Sequence, residues 1–362
     1  MQAVPILITF LYCLTVKAQF DCSSIRLDAP GGPVHSLPIM DQADLPFCES
    51  FASVIAIDAA RFYDNGNSAV EPVSCPISLA VRTAGLAGLQ SIESLGVETL
   101  LKNVHLVGIC DQQQIAKQLA ASLEKNFCSD ISAFASTLRT SGEFAKTPGS
   151  NSCGLRQQNI NALDPLKVLA HVTKTEANAK ALQLKFDQLC VPLTKPTNLN
   201  KYSPNHHNSK PFTTEQNSPT RKQRYNSLRA SIDEALSGSK PVPPVIRYCS
   251  NFLFDANSPS GIDPSKGNME NCNKRDSRGN TIIGKHTSAV VGRRKSKDGK
   301  SCEFLIRNSA GTSCNPYDKK WECDTTKGGL PCPAGDICGG QVWVDEETLL
   351  SNLQDVIHLK AK

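Results

Sequence analysis

Gln42-Ala-Asp-Leu-Pro-Phe-Cys48-Glu-Ser-Phe51-Ala runs into the start of a helix. From Glu49 to Tyr63 the apolar residues Phe51, Val54, Ile55, Ala59 and Phe62 recur at helical spacing, and Asn65-Gly66-Asn67 breaks the pattern. Cys48 therefore sits at a helix N-terminus. Unpaired backbone N–H groups and the positive end of the macrodipole stabilise an anion there, so its thiol is expected to ionise more readily than a free cysteine. That makes Cys48 a candidate nucleophile. The plainer readings, in a chain with 15 cysteines, are a half-cystine or a buried core thiol.

Two later segments bear on the choice: Gly284-Lys-His286-Thr-Ser-Ala-Val-Val-Gly292 and Cys302-Glu-Phe-Leu-Ile-Arg-Asn308-Ser-Ala-Gly311. Between them Asp298-Gly299 is a hairpin signal, flanked by the β-prone runs 288–292 and 304–306. His286 lies twelve residues before Asp298 and Asn308 nine after Gly299, so an antiparallel hairpin brings both to one end. The asparagine amide can then accept from one imidazole nitrogen, leaving the other to face a cleft. Each residue also has a bland reading: His286 as a structural strand histidine, Asn308 as a turn former, Gln42 as a surface loop residue.

Taken with Gln42, six residues before Cys48, these segments resemble the papain family of cysteine peptidases. In that family a glutamine precedes the nucleophilic cysteine at this spacing, an H-x-x-x-x-x-G strand carries the histidine, and an Asn-Ser-Trp-Gly turn carries the asparagine. The order Gln, Cys, His, Asn along the chain is also the family's. The resemblance implies an α+β, two-lobed fold over residues 19–362. A helical lobe (about 40–110) and a β-rich lobe (about 227–350) would flank a cleft, with a helical insertion at about 111–226. It implies a peptidase acting on peptide or protein substrates. Cys48 would attack the carbonyl, His286 would relay the proton to the leaving amine, and Asn308 would orient the imidazole. Gln42 Nε2 and the Cys48 N–H would receive the oxyanion. The segment from Ser91 to Cys110 resembles the family's glycine-plus-helix unit, which makes Gly96 the candidate substrate-binding edge; a plain helix N-terminal glycine is the alternative. No cofactor or metal is implied, and a protein inhibitor is a further partner to expect.

Three positions depart from the family pattern. Leu45-Pro46-Phe47 stands where the family has Cys-Gly-Ser, so the disulfide beside the nucleophile is missing and Cys75 is left as a candidate free thiol. Glu49 replaces a tryptophan and puts a negative charge beside the thiolate, which raises its pKa and competes for His286. Ala310 stands where a tryptophan shields the histidine–asparagine bond, so Trp321 or Trp343 would have to cover it. A divergent peptidase and a non-catalytic peptide-binding protein both fit these changes. So does an amidase or acyltransferase acting on cell-wall or isopeptide bonds with the same three residues.

Composition sets the outer limits. The 362 residues suffice for one large or two modest domains, and a net charge of +5 without long runs argues against nucleic acid or membrane as partner. Residues 1–18, apolar from 3 to 16 and ending Val16-Lys-Ala18, read as a secretory signal peptide containing Cys13, although no positive charge precedes the apolar run. A secreted or periplasmic monomer is expected. In that compartment Cys302, Cys314, Cys323, Cys332 and Cys338 are expected as disulfides rather than zinc ligands. Setting aside Cys13 and Cys48 leaves 13 of 15 cysteines, an odd number, so a further thiol is free or pairs between molecules.

Residues 19–41 should be an extended lead-in, too short for the family's long inhibitory prosegment. Residues 113–127 and 165–189 carry helical periodicity, with Cys128, Cys153 and Cys190 expected to staple them. The Asn, Pro, Ser and Lys-rich stretch 195–224 reads as a solvated loop, its His206-His207 pair a surface feature rather than a metal site. A short helix is expected at 227–236, leading into a strand.

Overall fold

The computed structural model describes residues 22–42, 47–70, 73–87, 95–108, 110–115, 118, 179–190, 199–208, 219–254, 285–332 and 339–362. The expected signal peptide, most of the expected insertion, Cys13, Cys128, Cys153 and Cys338 lie outside them. A helical half precedes an antiparallel sheet, which is the α+β class expected. Helices α1 (Cys48–Asp64), α2 (Pro76–Leu86) and α3 (Val97–Val107) pack on one another, and α4 (Ala179–Leu189) packs on α2.

The strands are β1 (Ile25–Arg26), β2 (Tyr202–Asn208), β3 (Val245–Cys249), β4 (Lys285–Lys295), β5 (Cys302–Arg307), β6 (Glu322–Asp324), β7 (Gln341–Asp345) and β8 (Leu353–Ala361). They form one sheet in the order β2-β8-β3-β4-β5-β7-β6, with β1 beside β4. Helices α5 (Pro219–Ser237) and α6 (Glu346–Asn352) pack on β8 and β7 respectively, and on each other. Among the described residues no helix is long and apolar enough to cross a membrane.

Helix α1 is the element on which both halves meet. The stripe Phe51, Val54, Ile55, Ala59 and Phe62 is buried as its spacing predicts, but so are Ala52, Ala56, Ile57 and Ala60 on the remaining faces. The helix lies between α2 and α3 and the strands β3, β4 and β8, so no face is left for water. Its charged residues survive there because they satisfy each other. Arg61 Nη1 donates to Asp58 Oδ1 at 2.6 Å, and the Ser74 backbone N–H donates to Asp58 Oδ2 at 3.0 Å. A buried ion without such partners would cost several kcal/mol, on the order of 3–5.

Three elements differ from expectation. Residues 202–208 are an edge strand, not a solvated loop: β2 pairs with β8 from Tyr202↔Ala361 to Asn208↔Asp355. His206 is bound on both nitrogens, to Glu98 Oε2 at 3.0 Å and Asp355 Oδ1 at 3.3 Å, and Pro204 is tolerated because the strand is at the edge of the sheet. Helix α5 begins at Pro219, well before the expected 227. The β-rich half runs past residue 350, where β8 becomes an interior strand between β2 and β3.

Among the described residues Cys22–Cys302 and Cys110–Cys190 join distant parts of the chain, and Cys314–Cys323 closes a short loop. Cys249 and Cys332 are also disulfide-bonded, and Cys48 and Cys75 are free and buried. Among the described residues Cys75, the candidate free thiol, is thus unpaired beside Cys48.

Candidate active site

The β4–β5 hairpin forms as expected, closed by Ser296 N to Ser301 O at 2.9 Å with Gly299 at φ 73°. Its register contains a feature that the sequence does not announce. Opposed pairs run Gly292↔Leu305 and then Val290↔Ile306, so Val291 is an extra, bulged residue. The shift continues through Ala289↔Arg307, which sets the next residues, Ser288 and Asn308, opposite each other. Without the bulge Asn308 would oppose Ala289 and fall on the other face of the sheet from His286. Gly292, beside the bulge, admits β1: a Cβ there would lie 2.8 Å from Ile25 O.

At this end of the hairpin Asn308 Oδ1 gathers three donors: His286 Nε2 at 2.6 Å, the Ser309 backbone N–H at 2.8 Å and Ser288 Oγ at 3.1 Å. A backbone N–H can only donate, so the atom it meets is the amide oxygen. His286 Nε2 must then carry the proton, which leaves Nδ1 as the basic nitrogen. Burial lowers the imidazole pKa and the Asn308 bond raises it, with burial the larger effect, so the ring rests neutral.

The expected tryptophan cover is absent from this bond. Trp343 stacks under the Arg294 guanidinium at 4.2 Å, and Trp321 donates to Phe252 O at 2.8 Å. Three other aromatics take the place. Tyr248 and Phe254 stand edge-on to the His286 ring at 5.6 and 5.8 Å, and Tyr317 stacks on Phe254 at 6.0 Å while facing Asn308. Tyr248 OH also bonds Ser288 Oγ at 2.8 Å. Of these, Tyr248 lies on the strand after the Pro-rich lead-in and pairs with His286 in register. Aromatic spacing around a single histidine gives no periodic signal, so Phe254 and Tyr317 were not legible.

Gln42 is held on the same turn across a long stretch of chain. Its N–H donates to Ser309 O at 2.8 Å, Gly311 N–H donates to Met40 O at 3.1 Å, and Asp41 bridges Ala310. Ser309 Oγ donates to Gln42 Oε1, which fixes the amide so that its nitrogen is turned away from Ser309. Gln42, His286 and Asn308 therefore share one scaffold.

Cys48 is the first residue of α1, as predicted, and α1 packs on β4. Its ionisation runs opposite to expectation. Burial pushes the thiol up to about 12, and the neighbouring Glu49 carboxylate adds to this by its charge and by accepting the S–H at 3.1 Å. Thr287, next to His286 on β4, lies close enough to favour the thiolate slightly, although its hydroxyl makes no well-formed hydrogen bond. The dipole contribution of a helix start, about 0.3–1 kcal/mol at exposed sites, is too small to offset burial that moves pKa values by as much as ~3–5 units. Among the described residues no hydrogen bond or ion pair joins Cys48 to His286.

Gly96 is the N-cap of α3, its carbonyl accepting from Leu100 N at 3.1 Å, and nothing described joins it to Cys48, His286 or Asn308. Among the described residues no group of three His, Cys, Asp or Glu side chains is placed to hold a metal ion.

No family model matches this chain. No curated protein matches it either. Among solved structures it is similar to xylellain, a cysteine protease from Xylella fastidiosa, with 13% identity, a TM-score of 0.40 and coverage of 94% of this chain and 86% of that one. It is also similar to digestive procathepsin L2 from the larval midgut of Tenebrio molitor (13% identity, TM-score 0.37, 90% and 68% covered). Procathepsin L 3 from the same source is a third (10% identity, TM-score 0.38, 95% and 72% covered).

Proposed function

We propose that this chain is a secreted papain-like cysteine peptidase in which Cys48, His286 and Asn308 hydrolyse peptide bonds and Gln42 serves the oxyanion. The observation that carries the reading is the His286 Nε2 to Asn308 Oδ1 bond at 2.6 Å on the same turn that anchors Gln42. It is supported by the family order of the four residues and by the packing of α1, which begins at Cys48, on β4, which carries His286. The disulfides support an oxidising compartment.

In this mechanism the Cys48 S–H turns from Glu49 toward His286 Nδ1 and gives up its proton as sulfur attacks the substrate carbonyl. The oxyanion is met by Gln42 Nε2 and the Cys48 N–H, both anchored before reaction. The Nδ1 proton passes to the leaving amine, and water, deprotonated by the same nitrogen, releases the acyl group and restores the thiol. Asn308 holds the ring in one tautomer throughout.

A second reading, a peptide-binding protein without turnover, is favoured by the protonated thiol and its bond to Glu49. Intact-mass analysis after brief exposure of the folded protein to a thiol-directed peptidyl epoxide, beside a peptide-cleavage assay, decides between them. One adduct on Cys48 with loss of cleavage supports the peptidase. An intact fold without adduct or cleavage supports the binding protein.

A further inference from the structure

Beside the asparagine turn lies a cavity of about 450 Å³, in the size range of small-molecule sites. Its wall combines apolar Leu37, Pro38 and Ile39 with Arg307, Thr312 and Lys327. Arg307 is the unusual member. It is only 4% exposed, yet no carboxylate among the described residues reaches ion-pair distance of it. Its Nε donates to Gln341 Oε1 at 3.2 Å and its Nη1 to the carbonyls of Val34 and Leu37, both at 3.3 Å, while Nη2 donates to nothing described.

The nearby aspartates are engaged elsewhere. Asp28 accepts from Arg26 Nε at 3.0 Å, Arg26 Nη2 at 2.8 Å and Gln341 Nε2 at 2.9 Å. Asp324 accepts from Arg26 and from Thr326, through its N–H at 3.1 Å and its hydroxyl at 2.6 Å. A buried guanidinium held by neutral carbonyls is left with a donor edge that an anion would satisfy. Burial draws its pKa down to about 10, and the charges of Asp28 and Asp324, which act on it without reaching ion-pair distance, offset this only in part.

We propose that this cavity binds a small organic carboxylate, its carboxylate on Arg307 Nη2 and its apolar body along Leu37, Pro38 and Ile39. A monoanion fits better than a phosphate dianion because Asp28 lines the same cavity and repels a second charge. A cation is disfavoured because the Asp28 oxygens already take three donors.

Calorimetric titration of the full-length protein with benzoate, and with benzamide as its neutral isostere, tests this. Saturable binding of benzoate with a Kd of roughly 1 mM or below, at least about tenfold tighter than benzamide, is expected. Arg307→Met and Ile39→Trp should each weaken it by about tenfold or more. Should Arg307→Met fail to fold, Ile39→Trp still tests the site, since that half-buried side chain fills the cavity without touching the guanidinium network. Equal binding of benzoate and benzamide, undiminished binding to Ile39→Trp, or no saturation by benzoate up to ~10 mM overturns the proposal. The readout is binding, so it stands or falls apart from turnover.

Discussion

The end of the β4–β5 hairpin and the start of α1 are both buried and face each other across one packed interface, yet they are prepared differently. At the hairpin, three donors converge on Asn308 Oδ1, and His286 is fixed through Nε2, which leaves Nδ1 as its basic nitrogen. At the helix start, the thiol of Cys48 gives its proton to a hydrogen bond with Glu49 at 3.1 Å and is pushed up to about 12. Placing a base is a matter of strand register, and a single bulge at Val291 achieves it. Making a nucleophile is a matter of local charge, and one adjacent carboxylate in a dry setting outweighs the helix dipole. Two regions of one candidate site can therefore diverge in readiness without any change of fold.

The strongest way to break the comparison is to remove either side. Cys48→Ala and His286→Ala should each lower kcat/KM for a cleaved peptide by roughly 10⁴-fold or more while leaving the far-ultraviolet circular dichroism unchanged. Turnover that survives either substitution would remove the proposed chemistry.

Glu49→Gln sharpens it from the other side. The carboxylate raises the thiol pKa by charge and as an acceptor, so the neutral amide must lower it. Alkylation of Cys48 by iodoacetamide at neutral pH should then accelerate by about tenfold, corresponding to one pKa unit. An unchanged rate would mean that burial alone holds the proton.

How much of this the sequence made legible depends on the kind of signal. The α1 stripe, the Asp298-Gly299 turn and the spacing of His286 and Asn308 were readable because helix periodicity and turn chemistry are local. The bulge was not, since an extra residue in a strand leaves the alternation nearly intact. Strand β2 was hidden by its Asn, Pro and His content: what makes it a strand is the partner β8, far along the chain, and the bonds of His206 to Glu98 and Asp355. At the site, Glu49 was legible as a charge beside Cys48, but the near-complete burial of α1, which dominates the thiol's pKa, comes from packing on both sides. The aromatic cover by Tyr248, Phe254 and Tyr317 replaces one large side chain by three from different segments.

The free thiols carry a pH signature of intermediate size. Cys48 and Cys75 are both pushed up to about 12 in the folded state, above the ~8.5 of an unfolded thiol. A group whose pKa is raised by folding stabilises the fold below its unfolded value and loses that contribution as pH climbs to the folded one. Between pH ~9 and ~12 each thiol should cost about 1.4 kcal/mol of stability per pH unit. Urea titrations of the oxidised protein over that window should show Cys48→Ala losing stability less steeply than the native chain; parallel slopes would mean the thiol is not held protonated.

The smallest effect tests the other region. Ser288→Ala removes one of the three donors on Asn308 Oδ1 and leaves Tyr248 OH without the partner it meets at 2.8 Å. A net cost of about 1 kcal/mol in unfolding free energy follows from one lost buried hydrogen bond and one stranded hydroxyl. Because Ser309 N and His286 Nε2 remain on the oxygen, the tautomer is retained, and kcat should fall only a few-fold, about 2–5, with KM unchanged. A loss as large as that of His286→Ala would mean that Ser288, not the turn, sets the asparagine. A kcat equal to the native value with lowered stability would mean that the backbone N–H of Ser309 alone orients the amide, and that the hairpin's readiness is built entirely into its backbone register.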